Sequence, residues 1–294
     1  STLDRSSAAS DVYKRQDKLL VAGSGNPNIL LLDKQTGKVE WQHALEKGEE
    51  CNAVALTRKG EILYSYKRGA KLVTWDHQVV WDYKTPDKTE LQSATLLQNG
   101  GVLLGICGVP AQFIELDKKG KEVNKVTLNL EVERPHSQFR QIFQLRNSNY
   151  LIPVMAKQKV LEVSRKGKII AEHQIEGKAF SSLELPDENL LLPCGDNHCY
   201  IVIDRKTGEE LKRVNALDIE GVALLFVGQI LQLKNGNLLI CNWYGHTKDA
   251  TVDEPQLIEI DKNGKVVWSL HDKKNVGKIS AACYIDNFRL PNLK

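Results

Sequence analysis

The stretch LLLDKQTGKVEW at residues 30–41 contains an apolar strand, a charged turn and a second strand. Its Gly37 stands where a tight hairpin needs a positive φ angle, which glycine adopts without a steric penalty. A unit of the same kind recurs five more times, at residues 72–81, 113–123, 160–170, 201–211 and 258–268. We interpret this unit as the third and fourth strands of a repeat.

A second hairpin precedes the unit in five of the six repeats. In residues 94–105, ATLLQNGGVLLG, one strand ends in an Asn-Gly turn and another apolar strand follows directly. Similar first strands and turns occupy residues 53–60, 142–148, 182–188 and 230–236. Repeats of about 40 to 48 residues with four strands each, and no helical periodicity between them, are typical of β-propeller blades.

The two ends of the chain complete one blade. Residues 18–22 have the second-strand pattern without a first strand, whereas residues 279–286 (ISAACYID) have the first-strand pattern without a second strand. Pairing the two segments closes the ring and removes its exposed sheet edges. We therefore predict an all-β fold: a six-bladed β-propeller of four-stranded antiparallel blades, forming one domain over residues 17–294. The alternative is seven blades, with one lost at the N-terminus.

The first sixteen residues are treated separately. Residues 6–16 read SSAASDVYKRQ, which looks like the translation of a common sequencing adapter. We expect residues 1–16 to be a non-native, disordered leader and exclude them from the fold. The beginning of the chain then carries no information about localisation.

Composition limits the classes of partner. The 40 basic and 37 acidic residues give a net charge of +3 and are scattered, without the basic stripe of a nucleic-acid binder. No apolar run approaches the roughly 18 residues that span a bilayer, so no membrane span is expected. We expect a monomer. Of the six cysteines, Cys194 and Cys199 flank a short loop, which leaves a disulfide open in an oxidising compartment.

The candidate site lies on the face that carries the second-to-third and blade-to-blade connections, because these vary in length while the other turns are uniformly tight. The longest such loop, at residues 242–255, contains Asn242, Trp243, Tyr244 and His246. Aromatic rings with a polar edge can stack on a sugar or another planar ligand. The alternative is that Trp243 and Tyr244 plug the central channel.

Polar residues on the same face complete the predicted site. His136 and His246 are candidate general acids or bases, and Gln92 faces the axis. Arg140 suits a carboxylate ligand, and the alternative for it is a salt bridge with Glu90 or Glu184. No His-x-His or Glu-x-x-His pair supports a metal, so we assign none.

The tryptophans of the repeat are a separate set. Trp41, Trp81 and Trp268 share one repeat position. We interpret them as anchors that pack neighbouring blades together.

Several motifs carry a resemblance to known propellers. The pattern Asp-x-x-Thr-Gly-Lys-x-x-Trp at residues 33–41 resembles the pyrroloquinoline-quinone-type, or quinoprotein dehydrogenase-like, repeat. QSATLLQNG at residues 92–100, residues 136–141 and NWYGH at residues 242–246 look more like a bacterial family of uncharacterised propellers, over residues 17–294. That resemblance implies a periplasmic or secreted protein connected with carbohydrate use. The chain lacks the adjacent cysteines of the quinone enzymes, so we expect no quinone cofactor.

Three hypotheses for function follow. The leading one is a propeller that binds a small polar or carbohydrate ligand, or a protein partner, on the variable-loop face. The alternative is a lyase or hydrolase of a sugar acid, with His136 or His246 as the base and Arg140 as the carboxylate clamp. The third is a protein-interaction scaffold. No motif for a nucleophile or a phosphate loop is present, so the sequence favours binding over catalysis.

Overall fold

A computed structural model of the protein describes residues 17–247 and 253–286, in which 24 strands form six four-stranded antiparallel sheets. Blade 1 comprises β1 (Lys18–Ala22), β2 (Asn28–Asp33), β3 (Val39–Ala44) and β24 (Ala281–Ile285). Blade 2 comprises β4 (Val54–Leu56), β5 (Ile62–Tyr66), β6 (Gly69–Val73) and β7 (Val79–Lys84). Blade 3 comprises β8 (Glu90–Leu96), β9 (Val102–Cys107), β10 (Ala111–Leu116) and β11 (Glu122–Leu128).

The other three blades follow the same order. Blade 4 comprises β12 (Phe143–Gln144), β13 (Tyr150–Val154), β14 (Lys159–Val163) and β15 (Ile169–Gln174). Blade 5 comprises β16 (Leu183–Glu184), β17 (Leu190–Pro193), β18 (Tyr200–Ile203) and β19 (Glu210–Val214). Blade 6 comprises β20 (Phe226–Gln232), β21 (Leu238–Trp243), β22 (Leu257–Ile260) and β23 (Val266–Leu270). The helical elements among the described residues are two 3-10 turns, Pro135–Ser137 and Met155–Lys157.

The last described strand closes the ring, which confirms the six-bladed prediction. Strand β24 pairs antiparallel with β1, with Leu20 opposite Cys283 and Val21 opposite Ala282. It supplies the innermost strand that blade 1 lacks in chain order. The predicted leader at residues 1–16 lies outside the described residues.

Strand position within a blade explains the hydrophobic pattern. The inner and middle strands are covered on both faces by neighbouring blades, so β1, β5 and β9 are almost continuously apolar and buried. The outermost strands alternate; β3, for example, buries Trp41 and exposes the residues on either side. The hydrophobic core is therefore six layers, each shared by two adjacent blades.

The outer ends of the blades carry the predicted tryptophan anchors. Trp41 donates its indole N–H to the Trp75 carbonyl of blade 2 at 2.8 Å, and Trp268 donates to the Lys34 carbonyl of blade 1 at 3.0 Å. Trp81 packs against the turn at Gly120 in blade 3. All three residues contact the following blade, as predicted from their shared repeat position.

Candidate functional site

A cavity of about 550 Å³ opens on the predicted variable-loop face. Connections from five of the six blades converge on it, which places it over the centre of the ring. Its walls are formed by Ser24, Glu50, Asn52, Arg134, His136, Ser137, Arg140, Met155, Ala156, Lys178, Phe180, Gly195, Asp196, Phe226, Trp243, His246 and Ser280. We call this cavity the funnel. It combines basic, acidic and aromatic groups.

Arg140 is a buried cation in the funnel wall, with 8% of its surface exposed. Its Nη1 donates to the carbonyl oxygens of His136 at 2.8 Å and Phe139 at 3.1 Å, and its Nη2 donates to His136 Nε2 at 2.9 Å. Burial lowers the pKa of Arg140, yet a guanidinium stays protonated at neutral pH. No carboxylate among the described residues lies within ion-pair distance of Arg140, so the predicted alternative, a salt bridge with Glu90 or Glu184, is wrong.

The bond from Arg140 fixes the state of the His136 ring. Because a guanidinium can only donate, His136 Nε2 must accept, and the ring proton then resides on Nδ1. That Nδ1 lies 2.8 Å from Glu90 Oε2 and donates to it. Burial alone would raise the pKa of Glu90, but the hydrogen bonds from His136 and Gln92 outweigh it and lower the pKa to about 2. A Glu90–His136–Arg140 chain therefore holds the guanidinium in place.

Aromatic rings cluster around Trp243 in the funnel. Phe226 packs edge-on against Trp243 with ring centroids 5.2 Å apart, and Phe180 packs edge-on against Phe226 at 5.3 Å. Trp243 donates its indole N–H to the Ser24 carbonyl at 2.9 Å, which ties blade 6 to blade 1. The cluster gives the funnel an apolar side.

A histidine–aspartate pair lies beside these rings. His246 packs edge-on against Trp243 at 4.7 Å, and its Nδ1 lies 2.8 Å from Asp196 Oδ1. Asp196 is held there because the neighbouring Gly195 exchanges backbone hydrogen bonds with Val227. Both side chains of the pair are more than half exposed. A carboxylate on Nδ1 leaves Nε2 as the nitrogen that can accept a proton.

Three predicted ligand-binding residues do not line the funnel. Asn242 is fully buried, and its side chain bonds the backbone of Ala223, Leu225 and Pro255. Gln92 is also buried and bonds Glu90 and Asn52. The ring of Tyr244 lies under the Lys273 ammonium, 5.1 Å from its centroid.

The remaining predicted residues, His136, Arg140, Trp243 and His246, all line the funnel. Sequence reasoning missed Asp196 and Arg134. Asp196 stands in a second-to-third connection, the loop class expected on this face. Asp196 could therefore have been predicted as a site residue from its position in this loop.

Two further predictions from the sequence concern metal ligands and a disulfide. Among residues 17–247 and 253–286, no group of three or more His, Cys, Asp or Glu side chains is placed to hold a metal ion. Cys194 and Cys199 are free thiols, and the Cys194 backbone N–H donates to the Cys199 carbonyl at 2.9 Å. The neighbouring Cys194 thiol and Arg213 outweigh burial and lower the pKa of Cys199. Residues 248–252 of the long loop lie outside the described residues.

Comparison with protein families adds to this geometry. Residues 23–265 match the model of the Mal s 1 allergenic protein-like family. The chain belongs to this family. A protein of unknown function from Bacteroides caccae is 43% identical, with a TM-score of 0.89 over 92% of this chain and 99% of that one. These findings do not show a pyrroloquinoline-quinone-type repeat. None of the curated proteins matches the chain.

More distant structures share the fold. Virginiamycin B lyase from Staphylococcus aureus is 14% identical, with a TM-score of 0.57 over 88% of this chain and 75% of that one. A streptogramin B lyase is 11% identical, with a TM-score of 0.61 over 93% and 88%. At these identities the likeness concerns the propeller architecture alone. Within the described part of the chain, no helix has the length and apolarity needed to cross a membrane.

Proposed function

We propose that the funnel binds a small carboxylate ligand with an apolar face, such as a sugar acid. The observation that carries the proposal is Arg140: a buried guanidinium whose hydrogen bonds go to neutral acceptors. A buried cation in a cavity wall with no carboxylate bonded to it directly is incompletely compensated, since Glu90 reaches it only through His136, and an anionic ligand would complete that compensation. The guanidinium geometry suits the two oxygens of a carboxylate.

The aromatic side of the funnel supports the proposal that the ligand has an apolar face. Trp243, Phe226 and Phe180 offer an apolar surface in the same cavity as Arg140. A sugar ring has apolar C–H faces and polar edges, so it can contact rings on one side and charged groups on the other. The volume of about 550 Å³ is within the usual range for small-molecule sites.

The proposal is tested with a matched pair of ligands. D-glucuronate and D-glucose differ mainly in the carboxylate, so calorimetric titration of each isolates the contribution of the charge. We expect glucuronate to bind and glucose to bind at least about tenfold more weakly, since tenfold corresponds to about 1.4 kcal/mol. Equal affinity for the two sugars, or no binding of either, would contradict the proposal.

The variant Arg140→Lys keeps the positive charge but loses the planar fork of donors. We expect it to weaken glucuronate binding about tenfold, because one ammonium cannot reproduce two parallel hydrogen bonds. Arg134→Lys is the matched control, since Arg134 lines the same funnel. If both variants weaken binding equally, the effect is general electrostatics and the role of Arg140 is wrong.

A second candidate function is elimination on a sugar acid, and the His246–Asp196 pair favours it. His246 Nε2 would remove the proton on the carbon next to the carboxylate, and the electrons of that C–H bond would form a C=C bond to the adjacent carbon. The oxygen on the adjacent carbon would leave with the electrons of its C–O bond and take up a proton from water. His136 is less suited, because its Nε2 already accepts from Arg140. Ultraviolet absorbance of the unsaturated product from a 4-linked uronide would report the reaction. We expect His246→Ala to abolish it, and product formation by that variant would exclude His246 as the base.

A further inference from the structure

A hairpin of blade 5 places two cysteines opposite each other beside the funnel. Pro193 of β17 pairs with Tyr200 of β18, so Cys194 and Cys199 are the next two residues of the ladder. The Cys194 backbone N–H donates to the Cys199 carbonyl at 2.9 Å. Opposite residues of an antiparallel pair project from the same face of the sheet, so both thiols lie in one layer of the core.

The backbone spacing of this pair suits a disulfide. A hydrogen-bonded antiparallel pair has Cα atoms about 5.5 Å apart, and disulfides join Cα atoms about 4.4–6.8 Å apart. Gly177 provides the room that the Cys194 sulfur occupies, because a Cβ atom at Gly177 would lie 2.9 Å from Cys194 Sγ. The two thiols can therefore be joined without separating the strands.

A guanidinium lies beside one of the two thiols. Arg213 on β19 donates from Nη1 to Cys199 Sγ at 3.6 Å, and the Glu210 carboxylate and the Glu176 carbonyl hold the guanidinium in place. A neighbouring cation favours the thiolate, which is the reactive form of cysteine. The Cys194 thiol and Arg213 together lower the pKa of Cys199 despite its burial.

The other four cysteines have the opposite environment. Burial raises the pKa of Cys51, Cys107, Cys241 and Cys283. Cys283 is the most informative of them, because it is partly exposed whereas Cys199 is 1% exposed. Exposure would direct oxidation to Cys283, and thiolate character would direct it to Cys199.

The loop between the two cysteines belongs to the funnel wall. Gly195 and Asp196 line the funnel, and Gly195 exchanges backbone hydrogen bonds with Val227 of blade 6. A bond between Cys194 and Cys199 would join the two ends of this four-residue loop. A cross-link restricts the conformations of the segment that it closes. Oxidation of the pair would therefore act on the part of the wall that carries Asp196.

We propose that Cys194 and Cys199 form a disulfide when the protein meets a peroxide, and that this cross-link restrains the Asp196 loop of the funnel wall. Both cysteines are enclosed, with 0% and 1% of their surface exposed, so the oxidant must be small. Hydrogen peroxide meets this condition, whereas a peptide disulfide such as oxidised glutathione does not. The proposal does not depend on which ligand the funnel binds.

The oxidation proceeds in two steps. The Cys199 thiolate attacks one oxygen of hydrogen peroxide, the O–O bond breaks, and a sulfenic acid forms while hydroxide leaves and takes up the proton that Cys199 had released. The Cys194 sulfur then attacks the Cys199 sulfur, the S–O bond breaks, and the oxygen leaves as water with the Cys194 proton. The two thiols lose two electrons, and the peroxide is reduced to two molecules of water.

The first test is treatment of the reduced protein with hydrogen peroxide, followed by thiol titration after unfolding and by peptide mass spectrometry. The six thiols should fall to four, with a Cys194–Cys199 cross-link that dithiothreitol removes. Oxidised glutathione should form it much more slowly, and equal rates would contradict the requirement for a small oxidant. Oxidation of Cys283 while Cys194 and Cys199 stay reduced would overturn the proposal.

Charge variants test the role of Arg213. We expect Arg213→Gln to slow formation of the cross-link at least about fivefold, because the Cys199 thiolate loses its neighbouring cation. Lys212→Gln is the matched control, since it removes the same charge from an exposed position on the same strand, and it should react like the wild type. Circular dichroism checks that both variants are folded. Equal slowing in the two variants would refute the role of Arg213.

Cysteine variants test the order of the two steps. In Cys194→Ser the reaction should stop at a sulfenic acid on Cys199, which dimedone traps, because the second thiol is absent. In Cys199→Ser no sulfenic acid should accumulate on Cys194. The opposite pattern would show that Cys194 reacts first and would overturn the assignment of Cys199 as the attacking thiol.

Hydrogen exchange tests the effect on the funnel wall. We expect the amides of residues 195–198 to exchange at least about threefold more slowly in the oxidised protein, because the cross-link restricts local opening of the loop. Residues 155–158, in the corresponding connection of blade 4, are the internal control and should exchange at the same rate in both states. Unchanged exchange of residues 195–198 in the cross-linked protein would overturn the proposed restraint.

Discussion

Three blade junctions are joined by an ion pair of a buried glutamate, whereas the junction of blades 1 and 2 is joined by aromatic rings. Glu115, Glu162 and Glu259 occupy one position of the third strand, and each is at most 6% exposed. Their partners in the following blade are Arg165, Arg205 and Lys34. Each partner is the second residue of the turn between the third and fourth strands. At the junction of blades 1 and 2, the same two positions hold Leu31 and Trp75.

The difference shows that the same two repeat positions can hold either an ion pair or a contact between an apolar and an aromatic side chain. An ion pair at these positions depends on both partners, because removing one leaves a buried charge. The aromatic contact depends on shape and apolar area, and it responds little to salt or to carboxylate titration. Mutation and acid should therefore destabilise the ion-paired junctions more than the aromatic junction.

The largest loss of stability is expected where blades 6 and 1 meet, because this ion-paired junction is also the place where strand pairing closes the ring. Deleting residues 279–294 removes β24, which pairs with β1 and contributes Ala281, Ala282 and Ile285 to the core on both sides of blade 1. We expect loss of the cooperative thermal transition seen by circular dichroism. Deleting only residues 287–294 is the control and should leave it. A shorter chain that melts cooperatively at an unchanged temperature would contradict the role of β24.

Removing one partner of an ion-paired junction should have the next largest effect. Arg205 bonds Glu162 through two nitrogens, at 2.8 and 3.0 Å, and Glu184 at 2.9 Å. We expect Arg205→Leu to lower the free energy of unfolding by about 3 kcal/mol, because the buried Glu162 carboxylate loses its counter-charge and Glu184 keeps only Arg146. Urea denaturation measures the change.

Two further variants sharpen that result. The double variant Arg205→Leu/Glu162→Leu should recover much of the loss, since the uncompensated charge on Glu162 is gone. Arg146→Leu should cost less than about 1 kcal/mol, because Arg146 is half exposed although it also pairs with Glu184. A double variant no better than Arg205→Leu would refute the buried-charge explanation.

Acid should weaken the ion-paired junctions before the aromatic one. Burial would raise the pKa of Glu162, but hydrogen bonds from Arg205, Asn147 and Asn149 lower it to about 2, below the unfolded value of about 4.3. The unfolded chain then binds more protons between these values, so stability from Glu162 is complete above about pH 5 and falls towards pH 2. Denaturation midpoints of the wild type and Glu162→Gln should converge across this window. A constant difference would contradict the expectation.

The smallest change in stability is expected near neutral pH, from protonation of His43 at the aromatic junction. The pKa of His43 is lowered by burial, His77 and Lys71, so the unfolded chain takes up the proton first as pH falls below about 6.5. Stability should decrease between pH 7 and pH 5 by less than about 1 kcal/mol. His43→Gln should flatten this part of the curve. An equal slope in the variant would assign the effect to another histidine.

The blades could be predicted from the sequence because each hairpin is a local pattern. Turn residues such as Gly37 and Gly264 stand between apolar runs, and the spacing of the runs sets the blade length. Closure by β24 was also predictable, because one end of the chain lacks a strand and the other has one in excess. The first strands of blades 4 and 5 are shorter in the structure than their sequence pattern suggested, with two residues each.

The candidate site was only partly predictable. The funnel lies on the face that loop length had indicated, and His136, Arg140, Trp243 and His246 all line it. The side-chain amides of Asn242 and Gln92 instead form hydrogen bonds with the backbone and with neighbouring side chains. The sequence does not distinguish an amide with this structural role from one that binds a ligand. Asp196 joins His246 across 50 residues, and sequence spacing does not report such contacts.

The sequence alone determined the repeat, the strand order within a blade and the closure of the ring, because these follow from hydrophobic period and turn chemistry over short distances. Tertiary structure decided which side chains meet between blades: His136 with Glu90, Glu162 with Arg205, and His43 with His77. The physical reason is that these partners come from different blades or loops. Their distances are set by the packing of whole sheets around the ring, and a change of a few ångströms would turn each contact into a solvated pair.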